Sequence, residues 1–179
     1  MMRRALAPTL LLVLGALVAG TARAGEAVEF ALRGITLEKE VVVAAPPLEA
    51  WNAFTGDVSA WWDHTFSPAP AKLVIDRKPG GGFWEIFDAD GHGVKHAEIL
   101  WAEPGKTLKM RGPLGFSGKA VDLMHTFRFE PAEGGTRIHL TLNALGQLDD
   151  DGVAALDQVW DHFLVERFQA HVASGAHRR

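Results

Sequence analysis

The chain has 179 residues, with 18 Lys and Arg against 22 Asp and Glu, a net charge of −4 and no cysteine. Without cysteine there can be no disulfide and no thioether lipid anchor. With no Lys/Arg cluster, nucleic acid is not expected as a partner.

Residues 1–24 read as a signal peptide. Arg3 and Arg4 make a basic start, Leu10 to Val18 an apolar run, and Ala22-Arg23-Ala24 a small-x-small cleavage site. That run is too short for a comfortable membrane span, and no other stretch is long enough. The expected product is periplasmic or secreted, with no membrane span after leader removal. Arg3-Arg4 raises the twin-arginine route, but Ala5-Leu6-Ala7 matches it poorly, so ordinary secretion is preferred. Residues 25–34 read as a loose N-terminal segment. Residues 35–175 read as one domain, long enough for a full core.

Ile35 to Val43 alternates and predicts a strand. Pro46-Pro47 then opens a helix over Leu48 to Thr55, and Asp57 is placed to cap a second short helix, Val58 to Trp62. His64 to Pro70 is a loop. Strands are predicted over Lys72–Arg77, Phe83–Asp88, Gly93–Ala102, Lys106–Arg111, Val121–Glu130 and Thr136–Leu145, with Gly- or Pro-containing turns between them. Pro113 to Lys119 is a longer loop.

Gly152 to Ser174 predicts a long amphipathic helix. Asp149, Asp150 and Asp151 suit its N-terminus, and Gly175 its end. Leu156, Val159, Trp160, Phe163 and Leu164 share one face of an α-helical wheel. Arg167 and His171 fall inside the same apolar arc, and Arg167 is expected to reach past the core edge to solvent, the alternative being contact with an acidic group or a ligand under the helix. The fold class is therefore α+β: a curved, mostly antiparallel sheet of about seven strands around a long C-terminal helix. Such a sheet and helix leave a cavity wherever side chains do not fill the space between them.

The order of elements resembles the helix-grip, START-like fold of the SRPBCC superfamily, and within it the activator of heat-shock protein 90 ATPase homologues. The resemblance is carried by Ala45-Pro46, Trp61-Trp62, Pro79-Gly80-Gly81, Glu103-Pro104-Gly105-Lys106-Thr107-Leu108, Phe129-Glu130-Pro131 and Gly134-Gly135-Thr136-Arg137. Trp61-Trp62 with His64-Thr65-Phe66-Ser67, then Gly81-Gly82-Phe83 with Glu85, then Val94-Lys95-His96, resemble a secreted subgroup of unassigned function. The resemblance implies a cavity for a hydrophobic ligand and no single reaction. Polyketide-cyclase-like enzymes, lipid carriers and co-chaperones share the fold.

Several residues are candidates for chemistry. If Phe83 and Phe87 face inward, Glu85 goes with them, a costly position for a carboxylate unless it is paired. His96 lies on the next strand, within reach of a hairpin partner, so Glu85 and His96 could meet as an acid–base pair or hold a polar ligand head. The alternative for each is a solvated strand residue. His125 sits on an apolar face between Leu123 and Phe127 and reads as a hydrogen-bonded core histidine, with contact to the ligand as the alternative. Trp61 and Trp62 flank the cavity mouth, one as core and one as lining. His64 lies on a lid-like loop, and Trp160 and Leu164 form the opposite wall. No histidine has metal-motif spacing, so neither a metal site nor a cofactor is expected. Three functions remain: a carrier of a small hydrophobic molecule or lipid, a cyclase- or hydrolase-type enzyme using Glu85 and His96, and a protein-interaction module whose partner is unknown.

Overall fold

The computed structural model describes residues 29–178, so the expected signal peptide, residues 1–24, lies outside the described residues. β1 (Arg33–Val43) leads into α1 (Pro47–Phe54) and a two-residue edge strand, β2 (Gly56–Asp57). β3 (Lys72–Ile75), β4 (Gly82–Ile86), β5 (Gly93–Glu103), β6 (Thr107–Arg111), β7 (Val121–Ala132) and β8 (Gly135–Gly146) follow. They form one eight-stranded antiparallel sheet in the order β1-β8-β7-β6-β5-β4-β3-β2. β1 closes back on the last strand, pairing Arg33 with Gly146 and Val43 with Thr136.

The C-terminal helix lies across this curved sheet. α2 (Asp150–Asp161) runs without a break through a π-helical stretch (His162–Gln169) into α3 (Ala170–Ala173). As expected, Asp149 caps it, accepting from the Gly152 N–H at 2.7 Å. Lys39 of β1 ties the outer side of the helix down through Asp157 and Asp161. Between helix and sheet the alternating inward residues of β7 and β8, among them Leu123, Phe127, Leu140 and Leu142, are fully buried. Phe54 of α1 packs its ring against Trp61, Phe127, Phe129 and Phe168.

Three expectations are corrected. The sheet has eight strands because Gly56–Asp57 pairs with Ile75 and Val74. The short helix expected over Val58 to Trp62 is a single turn, in which the Trp61 and Trp62 N–H groups both donate to the Val58 carbonyl. Gly56, at φ +80°, turns the chain out of α1, and Asp57 accepts from the Ser59 N–H instead of capping a helix. The long helix departs from α geometry over its second half. An i→i+5 stretch adds a residue to the turn, so Phe168 and Val172 take the buried positions that an α-helical wheel gives to Arg167 and His171.

Candidate ligand cavity

A cavity of about 430 Å³ lies between the sheet and the C-terminal helix. Leu156, Val159, Trp160 and Phe163 make its helix wall. Trp62 and residues 64–66 make one rim, and residues 114–117 with Lys119 make the other. Leu123 and His96 reach it from the sheet. The Trp62 ring is stacked on Phe163, centroids 3.7 Å apart and planes at 15°, so helix and loop meet through an aromatic pair. Leu114, on the opposite rim, sits at φ +46°, a left-handed conformation that costs a leucine of the order of 1 kcal/mol and is retained at this wall.

Glu85 and His96 meet beside the cavity. β4 pairs with β5 through a bulge: Phe83 lies opposite Ala97 and Trp84 opposite Lys95. The extra residue is His96, so His96 and Ala97 are both buried in spite of being neighbours. Gly112 allows this, since a Cβ there would lie 2.4 Å from the His96 carbonyl oxygen. Glu85 is fully buried and accepts three hydrogen bonds. They come from His96 Nε2 at 2.9 Å, the Phe66 N–H at 3.0 Å and the Ser67 N–H at 2.7 Å. The carboxylate therefore fastens the 64–67 loop to the sheet while it orients His96. Phe66 covers the imidazole, ring over ring at 5.3 Å. Burial holds the His96 pKa below its ordinary range, against the opposing pull of Glu85 and of the Leu114 backbone.

Below the cavity wall lies a second polar group in apolar surroundings. His125 is completely buried, and among the described residues neither ring nitrogen makes a hydrogen bond of good geometry. Burial pushes its pKa down to about 3, against a smaller opposing pull from the Met110 backbone. Its ring lies 5.2 Å from that of Trp160, whose Nε1–H is buried and unpartnered too.

At the mouth, Asp63 joins the loop to the helix. His162 Nε2 lies 2.9 Å from its Oδ1, His64 Nδ1 lies 2.9 Å from the same oxygen, and Arg167 Nε lies 3.1 Å from Oδ2. On a straight α-helix residues 162 and 167 would point about 140° apart. The wider i→i+5 winding brings both onto Asp63. The second nitrogen of His162 meets Glu166 at 2.8 Å, and hydrogen bonding to Asp63 and Glu166 raises the His162 pKa.

The profile of the Activator of Hsp90 ATPase homolog 1-like protein family matches residues 44–173, nearly all of this sheet and helix. The chain belongs to that family. It carries the family's helix-grip fold within the SRPBCC superfamily. An uncharacterized protein from Rhizobium leguminosarum has a similar structure, with a TM-score of 0.59 at 17% identity over 80% of this chain and 97% of its own. A protein from Rhodobacter sphaeroides gives 0.56 at 19% identity, over 80% and 99%. An AHSA1-like protein from Aeromonas hydrophila gives 0.56 at 15% identity, over 80% and 95%. At such identities the likeness is one of fold. No curated protein sequence matches the chain.

Among the residues singled out in the sequence of this family member, Trp62, His64, His96 and Trp160 line the cavity. Glu85 meets His96 behind its wall. Trp61, Phe83 and Leu164 are buried in the core beside it, with Trp61 Nε1 donating to the Ala53 carbonyl. His125 is buried in the core and is not part of the cavity lining, and the hydrogen bond expected of it is corrected, since its apolar surroundings leave both ring nitrogens without a partner of good geometry. Phe87 is corrected: β4 ends at Ile86, and Phe87 is 36% exposed outside the cavity. Arg167 stays partly exposed and takes the alternative reading, meeting the acidic group of Asp63 and the Trp61 carbonyl. Sequence reasoning missed Phe66, the 114–117 rim, and Asp63 with His162. The rims have no periodicity to read. The phase of the π-helical stretch hides His162 from an α-helical wheel.

Proposed function

We propose that the protein is an exported carrier of a small hydrophobic molecule, held between the C-terminal helix and the sheet. The observation that carries this reading is the cavity, whose size is that of sites for single small ligands. Its wall is built from Trp62, Phe163, Trp160, Leu156, Val159 and Leu123, with the His96 ring as a polar group on the sheet side. A ligand with a largely apolar body suits that lining. Export rests on residues 1–24, and an N-terminus near Gly25 in periplasmic protein would support it.

The acid–base reading is weaker, because both Glu85 oxygens are already committed to three donors. The interaction-module reading asks for a filled cavity and an open apolar patch. Here the cavity is open, and the exposed Trp84 and Trp101 carry Lys95 and Lys109 over their rings at 5.2 and 5.4 Å. The test is binding of 1-anilinonaphthalene-8-sulfonate, followed by its fluorescence. The wild type should enhance and saturate. Val159→Trp, which fills the cavity from the helix side, should abolish the saturable phase while leaving the circular dichroism unchanged. Equal binding by both proteins would move the ligand elsewhere.

A further inference from the structure

The cluster at the cavity mouth has a donor set that the carrier reading does not use. Asp63, His64 and His162 each present a ligating atom within 4.8 Å of the others. Two imidazoles and one carboxylate suit a first-row divalent cation such as Zn²⁺, and suit Mg²⁺ or Ca²⁺ poorly. Two of the three spacings are close to what such an ion needs, and the third, His64 to His162, is within 4.8 Å. Donors about 2.0–2.2 Å from a tetrahedral ion lie roughly 3.4 Å from one another. The contacts of 2.9 Å from Asp63 Oδ1 to His64 Nδ1 and to His162 Nε2 would open by only about half an ångström.

The surroundings are those of ligands held in place. His162 offers Nε2 to the centre, while Nδ1 lies 2.8 Å from Glu166, the carboxylate–histidine arrangement that fixes the tautomer of a metal ligand. Arg167 Nε lies 3.1 Å from Asp63 Oδ2, and Oδ1 is the oxygen that both imidazoles already face at 2.9 Å. The Trp62 Nε1–H donates to the His64 carbonyl at 2.9 Å, and the Trp62 ring is stacked on Phe163, so the loop that carries two of the donors is anchored to the helix that carries the third. A second cluster, Asp88, Asp90 and His92, lacks this support. All three are exposed, as are Asp63 and His64 but not the half-buried His162, and Asp88 Oδ1 already accepts from the Asp90 and His92 N–H groups of the hairpin turn.

The geometry points to a zinc-type site at the mouth of the cavity, formed by Asp63, His64 and His162, with Glu166 and Arg167 as positioning residues. Three protein donors leave one position open, as in sites where zinc takes a further ligand. His64 is also part of the cavity rim, so a carboxylate or carbonyl on a bound molecule is placed to complete the coordination. The site stands whether or not the cavity holds a ligand.

The test is calorimetric titration of untagged protein with Zn²⁺ alone, backed by the visible spectrum of the Co²⁺ form. One equivalent should bind, and Co²⁺ should give the intense d–d bands of a four- or five-coordinate site. His64→Ala and His162→Ala should abolish both signals, and His92→Ala should leave them unchanged. Glu166→Gln, which removes no ligand, should weaken binding by about 10–100-fold. Folding of each variant is checked by circular dichroism. Absence of stoichiometric binding by the wild type, binding that survives His162→Ala in a folded protein, or loss in His92→Ala alone would overturn the proposal.

Discussion

His125 keeps a neutral imidazole among Met110 and Leu142 of the neighbouring strands and Trp160 of the helix, with no titratable group among them. Its folded pKa of about 3 lies below the ordinary 6.5 of the unfolded chain. Between those values the unfolded state binds more protons than the folded one. Stability from this residue is therefore complete above pH 6.5 and falls as the pH drops toward 3. At pH 5 the loss should be about 2 kcal/mol. His125→Leu removes that slope and also the unmade hydrogen bonds, each worth about 1–3 kcal/mol when buried. Urea unfolding should find the variant more stable at pH 7 and further ahead at pH 5. A variant no more stable at either pH would show that the ring has a partner. His96, also held down by burial, contributes in the same direction and stays in the variant. Glu85 makes a different prediction. If it clamps the loop, Glu85→Gln should cost about 2–4 kcal/mol in the same assay, because a buried carboxamide cannot accept at both positions. Unchanged stability would return Glu85 to the list of acid–base candidates.

The elements separate what alternation and helical period can reveal from what they cannot. The long strands and α1 are legible, because one buried face imposes a period on the residues. The pairing of Glu85 with His96 was only half legible. Alternation put both on plausible inward faces, but the bulge that buries His96 and Ala97 together leaves no mark in the pattern. A second irregularity between Ile99 and Trp101 leaves Trp101 half exposed, although strict alternation places it with Ile99. The π-helical stretch did leave a mark. Arg167 and His171 stood in the apolar arc of an α-helical wheel, each followed by an apolar residue, Phe168 and Val172, that had lost its place there. One inserted residue repairs both. This gives a direct check of phase: Phe168→Ala should cost about 3–5 kcal/mol, and Arg167→Ala less than about 1 kcal/mol. The reverse order would mean that the helix is α throughout. The rims, residues 62–67 and 113–119, are loops whose positions are set by contacts distant in sequence. No local rule finds them.

On the scale of the whole molecule, the sheet and helix act as a frame that holds two loops around a gap. Glu85 fastens one loop. Phe116 of the other approaches Gly152 at the start of α2, where an added Cβ would lie 3.6 Å from its ring. The measurement that tests the central claim most directly is native mass spectrometry of the protein purified gently from the cells that make it, beside Val159→Trp prepared in the same way. The account predicts a bound organic species at near-unit occupancy in the wild type, released by solvent extraction and missing from the variant. Bare mass for the wild type, together with no saturable fluorophore binding, would contradict it.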